Sequence, residues 1–211
     1  MESRPGGIAL EKAITEIIVA TQNAGKVAEF KAALNGLPYK VSSLADLGKF
    51  PEAPEQGKTF AENACSKAQF YARLTGKLCL ADDSGLEVDY LQGEPGVYSA
   101  RYAGEYASDQ DNNEKLLEHL IGVPPEKRTA RFRCVLVLAD AERLWYTADG
   151  TVEGVILTEP RGNSGFGYDP LLLVPEMDRT FAEMSSAEKN QISHRGRALK
   201  KLVTQLADLR K

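Results

Sequence analysis

Positive charge is in short supply in this chain: 26 Lys and Arg stand against 30 Asp and Glu, a net charge of -4 at pH 7. That balance gives no electrostatic footprint for duplex nucleic acid or an anionic membrane, while a local basic pocket for a phosphorylated small molecule stays compatible with it. Cysteine is scarce as well. Cys65, Cys79 and Cys134 lie far apart in apolar surroundings and form no C-x-x-C pair. Neither a zinc site nor a disulfide framework is expected, and the thiols read as free and buried in a reducing cytoplasm. No apolar stretch approaches the length of a membrane-spanning helix, and residues 1–16 hold no run of signal-peptide length. Those sixteen residues read as a loosely ordered lead-in. Also absent are an internal repeat, a low-complexity segment, a clear linker and the G-x-x-x-x-G-K-S/T pattern of a P-loop.

What is present is an ordinary soluble composition, 43% hydrophobic and 27% charged, on 211 residues. That is enough chain for a sizeable core, and residues 17–211 are expected to form one α/β domain. Ile17-Ile18-Val19-Ala20 reads as a buried strand, followed by the loop Thr21-Gln22-Asn23-Ala24-Gly25-Lys26 and a helix over Val27–Leu34. A strand, a small-residue loop and a helix in that order offer exposed amides to an anion, and Lys26 adds a cation. The same pattern fits an ordinary strand-to-helix turn.

Tyr39–Ser43 returns as a second strand, and Phe50–Lys58, with two prolines and a glycine, is a surface loop bringing Glu52 and Glu55. Thr59–Leu74 is a helix: Thr59-Phe60-Ala61-Glu62 matches a capping box, and Phe60, Ala64, Ala68 and Tyr71 follow helical spacing. Glu62 is thereby assigned to the cap, and Lys67, in mid-helix, reads as a solvated lysine. Another helix starts at Ser108 with acids in its first turn and runs to about Ile121, with His119 near its end. Arg131–Leu138 is a strand entering the core. Leu144–Ile156 is β-rich and expected to break at Asp149-Gly150. Adjacent strands of this kind are usually antiparallel, so the expected sheet is mixed.

Ala81-Asp82-Asp83-Ser84-Gly85 is the stretch around which a site can be organised. It follows the apolar Leu78-Cys79-Leu80 and reads as a strand end released by a Ser-Gly turn. Two adjacent carboxylates there suit Mg²⁺, which prefers hard oxygen ligands and usually takes only one or two carboxylates beside water and phosphate. The same residue types also make plain turns. Gly162-Asn163-Ser164-Gly165-Phe166-Gly167-Tyr168-Asp169-Pro170 is the second unusual stretch. Its glycines lower the wall around Phe166 and Tyr168, and an aromatic so placed can stack on a nucleobase, worth roughly 1–3 kcal/mol. The alternative is a tight turn with its aromatics folded into the core. Ser185–Glu188 is a further capping box. Ser193 caps a final helix with Leu199, Leu202, Val203, Leu206 and Leu209 on its apolar side. His194 and Arg195 stand in its first turn, where cations are disfavoured, and local rule-breaking of this sort marks functional sites.

Six stretches, ATQNAGK, TFAENACSKA, ADDSGLEVDYL, GVYSARYAG, GFGYDP and AEKNQISHRGRAL, occur in this order. On them the chain resembles the Ham1/inosine triphosphatase family, nearest to its bacterial dITP/XTP pyrophosphatase branch, from about Ile17 to the C-terminus. The resemblance implies an elongated α/β fold with a long mixed sheet flanked by helices, two lobes around a cleft, and a homodimer. It implies Mg²⁺-dependent hydrolysis of ITP, dITP and XTP to the monophosphate and pyrophosphate, which cleanses the nucleotide pool. On the matching positions, Thr21, Gln22, Asn23, Ala24, Gly25, Lys26 and Lys67 would hold the triphosphate. Asp83 would be the catalytic carboxylate, with Ser84 beside the substrate and an acid of the preceding loop helping with the metal. Phe166, Gly167, Tyr168, Asp169, Lys189, His194 and Arg195 would form the base pocket. One departure stands out. Similar bacterial sequences often carry Glu-Glu before the loop glycine, whereas this chain reads Pro54-Glu55-Gln56-Gly57, so Glu55 is taken as the metal-linked acid with Glu52 as its substitute.

Cleavage between the α- and β-phosphates needs an aimed water and a neutralised leaving group. Asp83 would orient or deprotonate that water, ligate Mg²⁺, or do both. A 6-oxo acceptor on hypoxanthine or xanthine would meet donors from Arg195, Lys189 or His194, which adenine cannot satisfy. Two other readings compete: a Maf-like pyrophosphatase of modified or pyrimidine nucleotides, and a nucleotide sensor without catalysis. The SHR and GFGYDP segments argue against the first, and Asp83, Lys26 and Lys67 against the second.

Overall fold

The structure, a computed structural model, describes residues 16–208. Of the expected lead-in only Glu16 falls among them, and Leu209 lies outside them. Seven strands form one sheet in the order β2-β1-β3-β4-β5-β6-β7. They are β1 (Glu16–Val19), β2 (Lys40–Ser43), β3 (Leu78–Val88), β4 (Thr129–Ala139), β5 (Leu144–Ile156), β6 (Leu172–Val174) and β7 (Arg179–Thr180). β1 runs parallel to both β2 and β3, whereas β6 is antiparallel to β5 and β7, so the sheet is mixed as expected. The helices are α1 (Ala24–Ala33), α2 (Leu44–Leu47), α3 (Phe60–Thr75), α4 (Asp109–His119), α5 (Ser186–Ile192) and α6 (His194–Asp208). No described helix is long and apolar enough to cross a membrane.

The chain divides into two compact units. One takes the described residues up to Asp83, Val135–Ala148 and those from Ala198 on; the other takes Ser84–Cys134 and Asp149–Arg197. In the first, β1 is buried on both faces, as a parallel strand flanked on each side must be. Phe30, Leu34, Leu80, Leu136, Leu138, Leu202 and Leu206 complete its core. Thr59 caps α3 by accepting from Glu62 N at 3.1 Å, while the Glu62 carboxylate takes Lys58 N at 2.6 Å rather than the amide of Thr59. The core of the second unit gathers Leu86, Val88, Leu116, Leu120, Phe132, Ile156, Leu171, Leu172 and Phe181. Ser108 and Ser185 close capping boxes at α4 and α5, and Ser193 Oγ accepts from Gly196 N at 3.1 Å as the cap of α6.

Three expectations are corrected. β3 continues through Asp82-Asp83-Ser84-Gly85 without a turn, and β5 continues through Asp149-Gly150. In both cases the long strand has β4 as its sheet neighbour, and pairing within the sheet outweighs the local turn preference of these residues. The third concerns Cys65, which is half-buried, unlike the buried Cys79 and Cys134.

Two features carry stability predictions. Arg128, buried among apolar residues, donates to three backbone carbonyls: Nε to Ile156 at 2.7 Å, Nη1 to Leu120 at 2.8 Å and Nη2 to Leu157 at 2.7 Å. It thereby joins the end of α4 to the end of β5. Arg128→Met keeps bulk but removes three donors, and a loss of roughly 2–4 kcal/mol in urea unfolding is expected. An unchanged midpoint would show that water replaces the guanidinium.

Glu16 accepts from Lys77 Nζ at 2.6 Å and Ser42 Oγ at 2.7 Å and pairs with Lys40 at 2.7 Å. Lys40, then Lys77 and Ser42, lower its carboxyl to about 2. Its contribution is therefore fully present above its ordinary value near 4.5 and lost as pH falls towards 2. Thermal melts should show Glu16→Gln destabilised relative to wild type at pH 6, with the gap closing as both approach pH 2.

Candidate active site

The first constellation lies wholly in the first unit. Asn23 caps α1, accepting from Lys26 N at 3.0 Å, and its own amide donates to Thr21 Oγ1 at 3.2 Å. The loop is thus folded back so that the amides of Ala24 and Gly25 open the helix, with Gln22 exposed beside them. Lys26 occupies the third helical position, where a cation opposes the helix dipole. Asp82 compensates: its Oδ2 lies 2.9 Å from Lys26 Nζ.

Side chains alternate along a strand, so Asp82 and Asp83 leave β3 in opposite directions. Asp83 Oδ2 accepts from Asn63 Nδ2 of α3 at 3.0 Å. Asn63 Oδ1 in turn accepts from Gly57 N at 2.7 Å, tying the 51–58 loop to α3. A Cβ on Gly57 would lie 2.6 Å from that oxygen, which explains a glycine there. At the other end of the loop Tyr71 OH donates to Pro51 O at 3.2 Å and accepts from Ala53 N at 3.3 Å. So strapped, the loop presents Glu55 to Lys67 in an ion pair, and Lys67 Nζ also donates to Asp82 O at 3.3 Å. Lys67 is not solvated: an acid twelve residues earlier in the chain turns it inward. Glu52 is exposed on the same loop, and the ion pair belongs to Glu55.

The electrostatics follow from burial. Asp83 is 9% exposed. Desolvation pushes its carboxyl up to about 6, against the Asn63 hydrogen bond and the Lys67 ammonium. Burial works against the Lys67 ammonium, yet Glu55, Asp82 and Asp83 outweigh it and hold its pKa above the ordinary lysine value. Among the described residues no group of three or more His, Cys, Asp or Glu is arranged to hold a metal ion. Mg²⁺ is commonly held by one or two carboxylates and substrate phosphates rather than by an all-protein cage. A buried carboxyl destabilised in its charged form, with a second acid on a neighbouring loop, is a donor set of that kind.

The second constellation lies in the second unit, which begins at Ser84. Ser84 Oγ accepts from Arg195 Nη2 at 3.2 Å. The guanidinium of Arg195, 2% exposed, lies 5.9 Å from the centre of the Phe166 ring. Lys189 Nζ stands 4.6 Å over the same ring and donates to Asp169 Oδ2 at 2.5 Å. Burial raises the Asp169 carboxyl, opposed by Lys189 and then by a hydrogen bond from Phe166 N at 2.9 Å. His194 stacks on Phe132, centroids 5.0 Å apart, and Phe132 on Phe181 at 5.6 Å, so an aromatic pile supports the start of α6. Phe166 is exposed at the loop tip, with Gly167 beside it at φ +59°. Tyr168 is turned the other way: it is buried, and its OH donates to Ser99 O at 2.9 Å. Of the two aromatics on the glycine loop, Phe166 offers an open face and Tyr168 anchors the loop in the core.

Each constellation therefore has a legible chemistry: cations, carboxylates and helix amides in the first, and an open ring with flanking cationic donors in the second. Sequence reasoning missed Asn63. Its signal is there, since Asn63 stands three residues after Phe60 on the apolar stripe of α3, where a polar side chain needs a reason.

Comparison with known proteins identifies the family. Residues 17–205 match the Ham1 family model. The dITP/XTP pyrophosphatase of Bacillus licheniformis is 57% identical over 187 residues, 89% of this chain and 95% of that protein. Among solved structures, a HAM1 protein of Coxiella burnetii superposes with a TM-score of 0.86 at 43% identity, covering 92% of this chain and all of that one. The Staphylococcus aureus Ham1 protein gives a TM-score of 0.84 at 42% identity over 92% and 99% of the two chains. A match running from β1 into α6, with relatives of this identity along nearly their whole length, places the chain in the Ham1 family.

Proposed function

We propose that the chain hydrolyses ITP, dITP and XTP to the nucleoside monophosphate and pyrophosphate, with Mg²⁺ held by Asp83 and Glu55. The observation that carries the reading is the buried Asp83 carboxyl, held by Asn63 and within the electrostatic reach of Lys67 and Glu55. The α1 amides, Lys26 and Lys67 suit a triphosphate; Phe166, Lys189 and Arg195 suit a purine with a 6-oxo acceptor. When bound, the metal would neutralise charge on the phosphate oxygens. Asp83 aims the attacking water at phosphorus and draws off its proton; Asn63 holds the carboxyl in place for this. Lys26 and Lys67 balance the charge gathering on the pyrophosphate as it leaves. Free thiols and the nucleotide substrate suit a cytoplasmic enzyme, and a homodimer completes the reading.

Pyrophosphate release tests it. ITP, dITP and XTP should turn over with Mg²⁺ and stop with EDTA, while ATP, GTP and dTTP turn over poorly. Preference for dTTP would favour the Maf-like reading, and tight ITP binding without turnover would make the chain a sensor.

A further inference from the structure

We infer that Asp109 and Asn113, on the first two turns of α4, are positioning residues that clamp the Phe166 loop and so help to set purine discrimination. The inference rests on the proposed base-binding role of that loop. The loop carries three glycines at positive φ, Gly162 at +86°, Gly165 at +83° and Gly167 at +59°. Glycine backbones retain the most freedom, so such a loop holds an aromatic wall in one place only if something outside it does the holding. From within, Asp169 accepts from Phe166 N, and Tyr168 is anchored on Ser99.

From outside, α4 grips the residue next to Phe166 by both of its backbone groups. Gly167 N donates to Asp109 Oδ2 at 2.7 Å, and Asn113 Nδ2 donates to Gly167 O at 3.0 Å. The two side chains are four residues apart and share one helix face. Beside this grip lies a cavity of about 390 Å³, lined by Gln110, Leu117, Pro160 and Asn163 together with the clamp and Phe166. The loop therefore has room to swing if it is released.

Asn113 also shows what the clamp costs. Its Oδ1 is buried with no hydrogen-bond partner among the described residues. A buried acceptor left unmade disfavours the folded state, so an apolar residue of similar size would serve stability at least as well. Holding Gly167 accounts for an asparagine here; packing does not.

The test compares Asn113→Leu, Asp109→Ala and Asp109→Asn with wild type, reading kcat and KM for ITP and ATP together with the melting temperature. Displacing a binding wall by about an ångström can cost up to about 100-fold. The first two variants should raise KM for ITP roughly 10-fold with kcat within about 2-fold, and shrink the ITP-over-ATP ratio of kcat/KM by a similar factor. Asp109→Asn, whose amide oxygen still accepts from Gly167 N, should recover most of that loss. Asn113→Leu should melt no lower than wild type. Should either variant fail to fold, Asn113→Asp keeps the shape, sets an acceptor against the Gly167 carbonyl, and should show the same KM and ratio effects. Wild-type KM and ratio in these variants would overturn the clamp, as would an equal fall in kcat for every substrate alongside a lowered melting temperature. A wild-type protein that turns over nucleotides without preferring ITP to ATP would remove the parent reading instead.

Discussion

Replacing Asp83 with asparagine is expected to lower kcat for ITP by roughly 10²–10⁴-fold, the usual contribution of a positioned acid–base group. The substitution is nearly isosteric, and its amide oxygen can still accept from Asn63, so geometry is kept while charge and basicity go. Near-normal turnover at saturating Mg²⁺ would eliminate Asp83 as the central carboxylate. A second consequence runs the opposite way. Burial holds the folded carboxyl at about 6 against an ordinary 3.8, so the proton is bound more tightly folded than unfolded. That difference corresponds to about 3 kcal/mol of stability, present below the unfolded value and lost as pH rises through 6. Without metal, Asp83→Asn should therefore melt higher than wild type at pH 7.5, the two converging near pH 4. Activity and stability pulling apart at one residue is how a site selected for chemistry behaves.

Removing the Arg195 guanidinium should erode the choice of base rather than the chemistry. Arg195 is buried, bonded to Ser84 Oγ and set against the Phe166 ring, where it can donate to a 6-oxo acceptor from a fixed position. Sites that hydrogen-bond a substrate group can reject analogues lacking the partner by roughly 10⁴–10⁵-fold. Arg195→Ala is expected to remove about 100-fold or more of the ITP-over-ATP ratio, mainly through the ITP term. Arg195→Lys should recover little, because a single ammonium does not reproduce a planar fork that both stacks and donates. Steady-state kinetics on both nucleotides, with melting curves to separate misfolding, decide the matter; an unchanged ratio would release Arg195 from this role.

Much of the element order is legible in the chain because it is written locally. Ser108 and Ser185 announce their helices through acids three residues on, and the β-branched run at Ile17 announces a buried strand. What fails is whatever a distant partner decides. Ser84-Gly85 reads as a turn because both residues favour one, yet β3, with β4 as its sheet neighbour, stays extended through that stretch. Lys67 reads as solvated until the strapped loop brings Glu55 to it. Phe166 and Tyr168 look equivalent on a glycine loop; the carbonyl of Ser99, 69 residues away, draws in only Tyr168. Resemblance to a family names such residues without saying which way they face.

The pairing of Lys26 with Asp82 and of Lys67 with Glu55 would give the proposed substrate binding the character of a partner exchange. On the proposed reading, a nucleotide arriving with its metal would offer anions to both lysines and a cation to Glu55, so that old ionic contacts would be traded for new ones. The gain is a difference between similar quantities, and it is reversible for the same reason. Once the bond to the α-phosphate is cut, pyrophosphate held by these lysines would compete with the two carboxylates tethered beside them. Asp82 and Glu55 would then serve as displacing anions built into the protein, a protection against being held by its product.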